Sequence, residues 1–138
     1  MSSDSGIDPQ IRARLESASA GLVYGSEGDY PFEFFALPGG ASVKSAREFA
    51  LRVGAPESAR VEEQTWDSMI AWPLSGGDPM DPTARDIAAR YARLDGELND
   101  LLRNVRVIRV GSVQIRCYVV GEDGKGNLAG LVTMAIES

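Results

Sequence analysis

The chain has 138 residues, 43% hydrophobic and 25% charged, which suits one globular domain with a sizeable single core. Its 20 acids against 14 bases give a formal charge of −6, which argues against direct nucleic-acid binding through clustered Lys and Arg and favours a cationic partner. With no histidine and only Cys117, the chain lacks the commonest general base, an intrachain disulfide and the ligands of ordinary zinc sites. No apolar run approaches the roughly 20 residues that span a bilayer. The polar, acidic start "MSSDSGIDPQ" lacks the basic and apolar regions of a secretory signal, so a cytoplasmic protein without membrane contact is expected.

Residues 1–8 are expected to form a flexible tail, and 9–138 a single domain. A first helix is predicted over 9–22, with Asp8 as N-cap, Pro9 at the first position, and Ile11, Leu15, Ala18 and Leu22 on one face. Gly21 and Gly25 mark its end and the following turn. The aromatic stretch "YPFEFFALP", 30–38, reads as a strand. A second helix over 43–53 could be capped by Ser42 and ended by Gly54, and 60–66 reads as another strand. Residues 67–81 are an irregular or short helical segment followed by a loop. The third helix is the clearest element. Asp81 caps it, Pro82 opens it, and Ile87, Tyr91, Leu94, Leu98 and Leu101 form one stripe over about 21 residues. Gly96 lies off that stripe, and Arg85, Arg90, Asp95 and Asp100 should be solvated.

The last third reads as a β-meander over 105–110, 113–120 and 128–136, with "GS" as a two-residue turn and "GEDGKGN" as a hairpin loop. Val113, Ile115, Cys117 and Val119 alternate with Gln114, Arg116 and Tyr118, so one face should meet a core and the other be partly wet. The order of elements defines an α+β fold with a mainly antiparallel sheet covered by helices.

The most informative stretch is "GSEGDYPFEFF", 25–35, where Glu27 and Asp29 stand between glycines just ahead of an aromatic run. Loop acids in such a setting are ordinarily just solvated. They could also share a Mg²⁺ or act as an acid–base pair. Pro31 pushes Tyr30 to an extended conformation, which stiffens the exit from the loop. A stiff, protruding, acidic loop is a good probe and a poor enclosed pocket. Of Trp66 and Trp72, one could be core and the other an exposed partner anchor. No phosphate loop, dinucleotide fingerprint or nucleophile elbow is present.

"GLVYGSEGDYPFEFF", 21–35, resembles the signature of the nuclease A inhibitor family, and the C-terminal "VRVIRVGSVQIRCYVVGEDGKGNLAGLVTMAIES", 105–138, resembles the same family's end. The resemblance spans about residues 9–138. It implies a three-layer α-β-α sandwich related to the plant pathogenesis-related protein fold. It also implies a non-enzymatic bacterial protein without a cofactor of its own, which inhibits a Mg²⁺-dependent endonuclease acting on both DNA and RNA. In that family the acidic loop enters the nuclease cleft and its glutamate ligates the enzyme's metal. Glu27 is the matching position, flanked by Ser26, Gly28, Asp29 and Tyr30. The family's C-terminal acid and hydroxyl residue correspond to Glu137 and Ser138. An aromatic contact precedes the family's long helix. Here Pro79 and Met80 stand nearest to that place, and Trp72 lies further upstream. A monomer binding its nuclease 1:1 is implied.

Two other readings fit parts of the chain. An acidic chaperone or adaptor for a basic partner would share its size and charge and should dimerise. A Mg²⁺-dependent hydrolase would rest on Glu27, Asp29 and Glu33, yet strand alternation places Glu33 opposite Phe32 and Phe34.

Overall fold

A computed structural model describes residues 7–25, 29–75 and 80–136. In chain order the elements are α1 (Pro9–Ser19), β1 (Val23–Gly25), β2 (Asp29–Pro31), β3 (Glu33–Leu37), a 3₁₀ turn (Gly40–Ser42), α2 (Ala46–Arg52), β4 (Val61–Thr65), α3 (Trp66–Leu74), α4 (Pro82–Leu101), β5 (Arg103–Val110), β6 (Gln114–Glu122) and β7 (Leu128–Ile136). Strands β3-β7-β6-β5-β4 form one sheet in that order, every neighbouring pair antiparallel, and β1 and β2 form a separate hairpin.

The meander dictates the layering. Along β6, Ile115, Cys117 and Val119 enter one core with Val107 of β5 and Leu131 of β7. Tyr118 and Val120 enter a second core on the opposite face with Ile108 and Leu128. A sheet that is apolar on both faces must be covered on both. Helices α1, α3 and α4 cover the first face through Leu15, Ile70, Leu94 and Leu98. Helix α2 covers the second through Phe49 and Ala50. The result is the expected α+β, α-β-α sandwich. The expectation of a partly wet second face fails at Tyr118, which is buried, because Phe35, Phe49 and Tyr118 pack edge to face at 5.0–5.8 Å beneath α2.

Local chemistry explains most boundaries. Asp8 caps α1 as expected by accepting from the Gln10 N–H, and Ile7 is buried in the first core. The helix stops at Ser19, before the expected 22, because the chain turns through Gly21 at φ 77°. Helix α2 begins at Ala46, later than expected. Ser45 accepts from the Glu48 N–H at 3.1 Å while the Glu48 carboxylate accepts from the Lys44 N–H at 2.9 Å. The strand expected over 30–38 is divided at Phe32 into β2 and β3. The segment left open after 66 opens as a helix, α3, capped by the Thr65 hydroxyl on the Ser68 N–H. Residues 76–79 of the loop expected next lie outside the described residues, as do residues 1–6 of the expected tail.

Two further corrections concern single residues, Val110 and Asp95. Val110 pairs with Arg116, so the β5–β6 connection is wider than a two-residue "GS" turn. Asp95 is not simply solvated, since it accepts from the Trp66 indole at 2.8 Å and from Asn99. Asp100 accepts from Arg14 at 2.8 Å and Glu97 from the same guanidinium at 2.6 Å, which ties α1 to α4. In the β6–β7 loop, burial works to raise the Asp123 carboxyl, but hydrogen bonds from the Asn127 side chain and the Lys125 and Asn127 amides outweigh it and hold the group below its ordinary range.

Two glycines test the packing in opposite senses. A Cβ on Gly130 in β7 would sit 1.8 Å from the Val119 carbonyl oxygen, whereas one on Gly96 in α4 would meet nothing within 4 Å. Gly130→Ala should cost about 3 kcal/mol in urea unfolding. Gly96→Ala should gain up to about 1 kcal/mol. A tolerated alanine at 130 would refute the close strand approach.

Candidate functional site

The acidic stretch is framed by a hairpin. Val23, Tyr24 and Gly25 pair with Pro31, Tyr30 and Asp29 respectively, so residues 26–28 join the two strands. Ser26, Glu27 and Gly28 lie outside the described residues, and Asp29 is described only as part of β2. Strand β1 was not anticipated, since three residues carry no usable periodicity.

The hairpin is fastened to the body at both strands. Val23 lies opposite Pro31. The Val23 carbonyl accepts from the Tyr91 hydroxyl of α4 at 2.8 Å. On the other strand the Tyr30 carbonyl accepts from the Thr133 hydroxyl of β7 at 3.1 Å. Both donors are buried, Tyr91 at 2% exposed and Thr133 at 4%. The Tyr91 ring also meets Phe32, the residue just after the hairpin, edge to face at 6.2 Å. Sequence reasoning placed Tyr91 in a core stripe and gave Thr133 no role. The available signal was that Tyr91 brings a hydroxyl to an otherwise apolar helix stripe and Thr133 to a largely apolar strand.

Strand β7 approaches the same place. Both hairpin strands pack against β7, and Thr133 lies three residues before the strand ends at Ile136. Glu137 and Ser138 follow directly and lie outside the described residues. Beside the hairpin, Tyr30, Pro31, Glu33, Arg116, Thr133 and Met134 line an open cavity of about 170 Å³.

The tryptophans divide as one of each kind. Trp66 is 3% exposed with its indole bonded to Asp95, while Trp72 is 78% exposed. Trp66 reaches the middle of α4, and α3 then leads through residues 75–81 to the start of α4. Met80 at 85% and Ile87 at 39% are also exposed near that start, so Ile87 does not join the buried stripe as expected. Among the described residues, no three acids or cysteines gather as a metal-binding group. No helix among them is long and apolar enough to cross a membrane.

The three-layer sandwich thus holds a short hairpin against α4 and β7. The family model for nuclease A inhibitor-like proteins matches residues 9–138, and the chain belongs to that family. A search of curated proteins finds no match. Membership points to nuclease inhibition through a protein partner, in a family of inhibitors rather than catalysts.

Burial raises the Tyr91 phenol above the ordinary tyrosine value of 10.0, with the nearby Tyr24 adding to the shift. A group whose folded pKa is raised contributes stability that is intact below its unfolded pKa and lost as pH rises beyond it. The urea midpoint should therefore fall above about pH 10, and fall less steeply in Tyr91→Phe. Equal slopes for the two proteins would show that Tyr91 ionises as freely in the folded state as in the unfolded one.

Proposed function

We propose that residues 9–138 act as one inhibitor domain that inserts the 26–28 segment into the active site of a Mg²⁺-dependent endonuclease cleaving both DNA and RNA. Glu27 then ligates the enzyme's metal in the place of a substrate phosphate. The observation that carries this reading is the fastened hairpin, which frames Glu27 between two strands tied to α4 and β7. A carboxylate is a hard oxygen donor of the kind Mg²⁺ accepts. Once it occupies the metal, the enzyme cannot use that ion to polarise a scissile phosphate.

Ser26, Gly28, Asp29 and Tyr30 complete the loop contact. The Ser138 hydroxyl and the Glu137 carboxylate add oxygen groups to that contact. The approach of β7 to the hairpin supports this pairing. Trp72 supplies an apolar anchor, supported by its exposure. The net charge of −6 speeds encounter with a cleft built to attract polyanions, while affinity comes from the buried contacts. The free protein is a cytoplasmic monomer, binds one nuclease, and touches neither nucleic acid nor membrane.

DNA degradation by such a nuclease, titrated with the protein, should stop at one equivalent. Glu27→Gln should weaken the complex by about 2–5 kcal/mol, as expected when one member of a desolvated charge pair is removed. Trp72→Ala should cost more than about 1 kcal/mol without lowering the urea midpoint. Full inhibition by Glu27→Gln would overturn metal ligation by this residue.

A further inference from the structure

We propose that Tyr91 and Thr133 are positioning residues, whose hydroxyls set the pose in which the hairpin presents Glu27. This rests on the inhibitor reading and extends it to two residues remote in sequence from the acidic stretch.

The hairpin has little of its own to hold it. It contains three register pairs, and a two-stranded ribbon of that length is marginal in water. The body supplies what the ribbon lacks. The Tyr91 hydroxyl serves β1 at Val23 and the Thr133 hydroxyl serves β2 at Tyr30. The two donors come from different layers, α4 and β7, so together they resist rotation of the hairpin as well as its withdrawal. The Tyr91 ring is braced by Phe32, so the orientation of the donor is tied to the chain leaving the hairpin.

Neither hydroxyl is needed for packing alone. Phe at 91 and Val at 133 would fill nearly the same volume, and each would take a side-chain donor from a hairpin carbonyl. A loop held ready in its bound pose gives up less conformational freedom on binding, which strengthens affinity without adding a contact.

The test uses the full chain as wild type, Tyr91→Phe, Thr133→Val and Thr133→Ser. Amide hydrogen exchange without any nuclease is read first. Tyr91→Phe and Thr133→Val should speed exchange in residues 23–31 about tenfold, the scale of one lost hydrogen bond, and leave β5 and β6 unchanged. Thr133→Ser keeps the hydroxyl and should match wild type. The inhibition constant against the nuclease should rise about tenfold in the same two variants and recover in Thr133→Ser. Unchanged hairpin exchange, or faster exchange throughout the sheet, would overturn the proposal whatever the inhibition. A loosened hairpin with an unaltered inhibition constant would overturn its role in presenting Glu27. A wild type that inhibits none of several such nucleases would instead sink the inhibitor reading, and the exchange data would still decide whether the hydroxyls hold the hairpin.

Discussion

A sheet with two apolar faces is the constraint from which the architecture follows. In β5 and β6, consecutive residues such as Val107 and Ile108, or Val119 and Val120, are buried on opposite sides of one layer. Water can have neither side, so helices are required on both. The two coverings are unequal. One has three helices, including the 20-residue α4, and the other has the seven-residue α2. The thinner layer is made sufficient by large rings, since Phe35, Phe49 and Tyr118 fill space that aliphatic side chains on so short a helix would leave open.

The thicker covering is also what makes a site possible. Helix α4 is long enough to contribute Leu94 and Leu98 to the core and still bring Tyr91 to the hairpin. Strand β7 lies inside the sheet, paired with both β3 and β6, and Thr133 stands on it opposite Cys117 of β6. The segment bearing the acidic residues is therefore attached to the rigid part of the fold through both of its strands. That arrangement suits presentation of a carboxylate to another protein better than it suits enclosure of a small substrate.

What could be read from the sequence was whatever local chemistry decides. Asp81 and Pro82 announced α4, Asp8 and Pro9 announced α1, and alternation announced the meander and the burial of Cys117. Features set by distant partners were not legible. Asp95 finds Trp66, Tyr118 finds Phe49 from α2, and Tyr91 and Thr133 find carbonyls that lie 68 and 103 residues away in sequence. The candidate site divides in the same way. Its acidic residues stood out through their glycine-flanked spacing, whereas its supports looked like ordinary core positions.

The two tryptophans give the molecule a pair of optical reporters that answer different questions. Trp66 is enclosed and hydrogen-bonded to a carboxylate of α4, so its emission follows the integrity of the α3–α4 contact. Trp72 faces solvent, so its emission follows whatever covers that surface. Unfolding exposes the first and shifts its light to longer wavelength, while anything that covers the second dries it and shifts its light to shorter wavelength. Loss of structure and coverage of this surface thus carry opposite colours in one unlabelled chain.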